Sequence, residues 1–72
     1  MSEHITKGAV KVIEIIGVSD TSFDDAVAEA VGKAAESVDG IRGGEVLKYT
    51  AAVDGSKVTQ YRATVKLAFS VK

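Results

Sequence analysis

The stretch Val58-Thr59-Gln60-Tyr61-Arg62-Ala63-Thr64-Val65-Lys66-Leu67-Ala68-Phe69-Ser70-Val71 decides the fold. Side chains of an extended chain alternate between two faces. Tyr61, Ala63, Val65, Leu67, Phe69 and Val71 therefore fall on one side, and Gln60, Arg62, Thr64, Lys66 and Ser70 on the other. This is a long β-strand with one apolar face, and that face needs a partner. Ser22 to Val38 is the segment with helical periodicity to supply one. Phe23, Val27, Ala30, Val31, Ala34 and Val38 recur at steps of three and four, a stripe made mostly of small residues that allows close approach to a sheet. Gly32, costly inside a helix, is expected where something packs tightly.

Working outward, Val10 to Ile16 reads as a first strand rich in β-branched residues, ended by Gly17. Ile13 and Ile15 share one face; Val12, Glu14 and Ile16 share the other. Both faces carry apolar bulk, so the second is expected to meet another subunit. Ser19-Asp20-Thr21-Ser22 is a helix entry with capping-box spacing, Ser22 to Asp25 or Thr21 to Asp24. Asp39-Gly40 closes the helix. Glu45 to Val53 is a further strand with Leu47, Tyr49, Ala51 and Val53 on one face, and Asp54-Gly55 suggests a type I′ hairpin back into Val58–Val71. Gly40-Ile41-Arg42-Gly43-Gly44 lies between helix and strand, the reverse of the order used by phosphate loops, and reads as a bulge or close backbone approach.

The order is strand, helix, strand, strand. A helical crossover followed by a hairpin makes every neighbour antiparallel only if the last strand sits in the middle. The expected fold is α+β: β-α-β-β with a three-stranded antiparallel sheet in order 1-3-2, partly wrapping one helix. Residues 1–9 read as a flexible tail and 10–72 as one domain.

At 72 residues the chain buries only about 60% of its unfolded surface. It contains no cysteine, so disulfides and thiolate metal sites are excluded and oligomerisation becomes the default staple. No apolar run reaches bilayer-spanning length, and Met1 to Gly8 lacks the layout of a signal peptide, giving an expectation of a cytoplasmic protein. A net charge of −1 argues against a dedicated nucleic-acid binder. So does the absence of aromatic residues on the polar face of the last strand. Charge is segregated all the same: Asp20 to Asp39 carries −5 and Gly40 to Lys72 carries +4. Those surfaces read as solvated faces of opposite sign, with a meeting between subunits as the sharper alternative.

Catalytic sets are missing. His4 is the one histidine and lies in the tail, and without cysteine neither a Ser/His/Asp nor a Cys/His constellation can form. The chain is therefore not expected to be an enzyme. The carboxylates do not have the spacing of a helix-loop-helix Ca²⁺ loop. Asp20, Asp24 and Asp25 could converge on a hard cation at an oligomer axis, but they read first as acids favoured by the helix dipole.

Four segments, Val12-Ile13-Glu14-Ile15-Ile16-Gly17-Val18-Ser19, Ala34-Ala35-Glu36-Ser37-Val38, Glu45-Val46 and Tyr61-Arg62-Ala63-Thr64-Val65-Lys66-Leu67-Ala68-Phe69, in this order and spacing, resemble the dodecin family. The resemblance runs from about Val10 to Val71 and implies the fold just described. It also implies a hollow homododecamer of tetrahedral symmetry, in which many members store riboflavin, FMN or FAD at two-fold interfaces. The tryptophan that stacks on the flavin in those members corresponds to Gly43, and the glutamine that bonds the ring edge corresponds to Arg62. Arginine can stack through its guanidinium plane or pair with a phosphate. The chain is similar to the subgroup lacking that tryptophan, some members of which are calcium-associated. The resemblance thus implies a binding and storage protein for a flavin or another flat or phosphorylated ligand, held near Gly43, Glu45 and Arg62. The alternative is a calcium-binding or purely structural shell without an organic ligand.

Overall fold

The computed structural model describes residues 8–71. His4 and residues 1–7 of the expected tail lie outside them, while Ala9, the last residue of that expected tail, belongs to the first strand. Four elements follow in order: β1 (Ala9–Ser19), α1 (Phe23–Ala35), β2 (Ile41–Asp54) and β3 (Lys57–Val71). They build one sheet, β1-β3-β2, with β3 antiparallel to both neighbours, as the sequence implies.

The helix lies on the face formed by Ala63, Val65 and Leu67, all buried. Its own buried seam is Ala26, Ala30 and Ala34, spaced four apart. The expected stripe is therefore rotated: Ala26 enters the seam, while Val27 is half-buried at its flank and Val31 is 37% exposed. The reason is Gly17. It does not end β1 but sits inside it, and a Cβ there would lie 1.9 Å from the Ala26 carbonyl oxygen and 2.9 Å from Ala30 Cβ. Helix and strand touch backbone to backbone at this point, an approach that only a glycine opposite alanines allows. Gly32, by contrast, has nothing near the place its Cβ would occupy, so its expected tight contact is absent within the chain.

Ser22 caps the helix by accepting a bond from the Asp25 backbone N–H at 3.0 Å. The reciprocal half of the capping box is rerouted. The buried Ser19 hydroxyl donates to Asp25 Oδ2 at 2.7 Å and accepts from the N–H groups of Thr21 and Ser22 at 2.9 and 3.4 Å. One hydroxyl thereby ties the end of β1 to the first helical turn and satisfies donors that the helix leaves unpaired.

β2 begins earlier than expected and is irregular. Register shifts fall between Ile41 and Gly43, Val46 and Lys48, and Ala52 and Val53. The shift at Leu47 puts Val46 opposite Val65 and Tyr49 opposite Ala63. Val46 and Tyr49 therefore share the helix side, and the expected unbroken alternation from Leu47 to Val53 does not occur. The hairpin turn centres on Gly55-Ser56, where only Gly55 has positive φ (66°). That is the pattern of a type II′ turn, not type I′. Phe23 at the helix start packs on Tyr49 and Tyr61, with ring centroids 4.8 and 4.9 Å apart.

A helix of 13 residues is about 20 Å long, whereas a strand of 15 spans about 50 Å. The molecule measures 51 × 20 × 19 Å, so the β2–β3 hairpin runs well past the helix. It also runs past β1, whose pairing with β3 stops at Ser19 opposite Tyr61. On the face away from the helix, Val12 and Ile16 are 49% and 59% exposed, and in the projecting hairpin Val53 is 62% exposed.

Candidate functional site

Gly43, Glu45 and Arg62 all lie on the sheet face opposite the helix. In the ladder Gly43 stands across from Ala68, Glu45 from Lys66, and Arg62 from Thr50 and Val18. They share a face but not a pocket. Six residues of β3 separate the rung of Gly43 from that of Arg62, about 20 Å of strand at 3.3 Å per residue. Within one chain they do not line a common ligand pocket.

This outer face is ordered in rows. Glu14, Lys66 and Glu45 form a charged rung across all three strands, the lysine between two carboxylates. The next rows are Ile16, Thr64 and Lys48, then Val18, Arg62 and Thr50. Arg62 is anchored at one edge, its Nε donating to Gln60 Oε1 at 2.7 Å.

On the other face, an open cleft of about 340 Å³ lies between α1 and the start of β2. It is lined by Val27, Val31, Ile41 and Val46 together with Gly43 and Gly44, and Arg42 stands at it as the one charged side chain. Gly44 is confined, since a Cβ there would come within 3.0 Å of Leu67 Cδ2; Gly43 has open space around the same position. Nothing in the sequence pattern pointed to this cleft, because it depends on the helix being rotated onto its alanine seam.

The acids of the helix entry do not converge. Asp25 is taken up by Ser19, Asp20 accepts from the Thr21 hydroxyl at 3.3 Å, and Asp24 is exposed. Among the described residues no three His, Cys, Asp or Glu side chains are grouped closely enough to hold a metal ion. Nor, among them, is any helix long and apolar enough to cross a membrane.

A short helix carried on one face of an antiparallel three-stranded sheet, with the other face and a long hairpin left bare, defines a small α+β scaffold. The chain belongs to the dodecin family: the model of that family matches residues 9–72. It is 44% identical over 62 residues to the calcium dodecin of Mycobacterium tuberculosis, spanning 86% of this chain and 87% of that one. The solved structure of that calcium dodecin, described as a calcium-chelating antigen with a novel calcium-binding site, superposes with a TM-score of 0.79 at 42% identity, covering 90% of this chain and 93% of the other. Dodecin from Streptomyces coelicolor has a TM-score of 0.90 at 24% identity, covering 94% and 97%. That last likeness is one of fold.

Proposed function

We propose that this protein binds Ca²⁺ as a self-assembling dodecin. The observation that carries the reading is the 44% identity to a calcium dodecin over 86% of the chain. The exposed outer face of β1 and the unsupported hairpin support self-assembly. A Ca²⁺ ion takes six to eight oxygen ligands. With the acids of one chain dispersed, backbone carbonyls and carboxylates from neighbouring copies would complete its shell. Calorimetric titration of chelator-treated protein with Ca²⁺ tests this: saturable heat and a higher melting temperature with Ca²⁺ support it, and neither effect at millimolar Ca²⁺ refutes it.

The second reading is flavin storage. It draws on family membership and on the shared face of Gly43, Glu45 and Arg62. The chain contains no tryptophan, and Gly43 offers no ring for stacking, a contribution of about 1 kcal/mol or more. Titration of FMN with micromolar protein leaves its fluorescence unquenched if the calcium reading stands alone; strong quenching would restore the flavin reading. In either form the protein acts as a binding protein and not as an enzyme.

A further inference from the structure

We infer that the cleft between α1 and the start of β2 is a binding site for an aliphatic monocarboxylate, whose charged head Arg42 grips at the mouth. The cleft has a volume of about 340 Å³. Its floor is the buried pair Val65 and Leu67, and its rims, Val31 of the helix and Val46 of β2, are 37% and 38% exposed. Apolar rims left wet at this level gain from a hydrocarbon chain laid between them.

Two features of β2 make the space and its charge. Gly44 lies on the helix side, where a Cβ would come within 3.0 Å of Leu67 Cδ2, so the strand puts no side chain into the gap there. Arg42 is the extra residue of a bulge: Ile41 stands opposite Phe69 and Gly43 opposite Ala68, and Arg42 has no partner in the ladder. A bulge re-aims a side chain, and this one brings Arg42 to the cleft as its one charged residue. Among the described residues, Arg42 is within ion-pair distance of no carboxylate.

These features select the ligand. The lining holds no aromatic ring, so a flat group finds nothing to stack on. A single guanidinium fork without a second cation matches one carboxylate, which it pairs bidentately. At about 30 Å³ for each heavy atom, the cleft takes about eleven, close to the size of an acid of about eight carbons. It lies on the helix side of the sheet, away from the outer face of β1 that the proposed assembly would cover. The site goes beyond the calcium reading, and the two fail separately.

The test is calorimetric titration of the protein, free of Ca²⁺, with octanoate, hexanoate and octanol. Octanoate is expected to give saturable heat at one site per chain. Loss of two methylenes in hexanoate should weaken binding by about tenfold, and loss of the charge in octanol by about tenfold. Arg42→Gln should bring octanoate down to the level of octanol while leaving octanol itself unchanged, and Arg42→Lys should recover only part of the loss. Val31→Asp, a like charge on the rim, should abolish octanoate binding. Lys33→Gln, a cation of the same helix that stands beside β1, should leave it unchanged. All three positions are exposed, and circular dichroism checks the fold of each variant. Absence of saturable heat with octanoate, equal affinity for hexanoate, or parental affinity in Arg42→Gln would overturn the site. So would a fall in the mass of Val31→Asp seen by light scattering, which would assign the cleft to a second copy of the chain.

Discussion

Replacing Gly17 by alanine puts a methyl carbon 1.9 Å from the Ala26 carbonyl oxygen and 2.9 Å from Ala30 Cβ. Real contacts of this kind essentially never fall below 3.0 Å, so α1 or β1 must separate by roughly 1 Å, a large shift in an interior packed like a crystal. The offending atom belongs to the helix backbone, and no rotamer change can remove it. Opening the seam would also loosen Ala26, Ala30, Ala63 and Val65, the tightest part of the core. Overpacking of well-filled cores costs about 1–3 kcal/mol and sometimes more; with a backbone partner we expect about 3 kcal/mol or above. A small domain has only about 5–15 kcal/mol to lose. At about 4–8 °C per kcal/mol for a chain this size, the melting temperature should fall by about 12–24 °C. Thermal melts by circular dichroism, at matched protein concentration because the proposed assembly would contribute to stability, measure this. A Gly17→Ala variant melting within a few degrees of the parent would refute the claim that helix and strand meet backbone to backbone.

Gly32→Ala is the same chemical change in open space, and it should stabilise by up to about 1 kcal/mol through helix propensity; a loss of stability would place Gly32 in a contact between copies. Ser19→Ala removes the hydroxyl that joins Asp25, Thr21 and Ser22, and should cost about 1–3 kcal/mol in a denaturant melt by leaving part-buried groups unpaired; an unchanged midpoint would show the network to be ornamental. Lys33→Ala should change stability by less than about 0.5 kcal/mol, since both side chains of its 3.8 Å contact with Glu36 are largely exposed. Ile16→Glu on the bare face should reduce the assembled mass seen by light scattering while leaving the far-ultraviolet spectrum in place; full assembly would mean that β1 is not at an interface.

The strands and their order were legible because alternation and β-branched bulk directly encode which face is buried: Ala63, Val65 and Leu67 against Gln60, Arg62 and Thr64. The helix entry was legible because a cap is a local hydrogen-bonding problem, and Ser22 solves it within three residues. What periodicity does not encode is depth. Phe23, Val27 and Val31 are the larger residues and look like the core, yet the chain buries Ala26, Ala30 and Ala34, because Gly17, in the preceding strand and outside any helical pattern, lets the backbones close. The register of β2 was hidden for a similar reason. A bulge at Leu47 is a choice made by pairing with β3, and nothing in Glu45 to Val53 announces it. The candidate site was not legible as a face: unbroken parity puts Gly43 and Glu45 with Leu47 and Tyr49, and it is the bulge at Leu47 that sets them on the side of Arg62. Their separation along β3 depends on the bulges, and the α1–β2 cleft depends on the rotated helix.

Sheet surface left bare by a helix that is too short is the feature on which the proposed assembly, and any site between protomers, rests. Static light scattering of the purified chain in dilute solution tests it most directly. The expected result is a single species whose mass is a large multiple of the 7.5 kDa chain, twelvefold if the assembly is that of the family. A folded, cooperatively melting species of one chain's mass would contradict it.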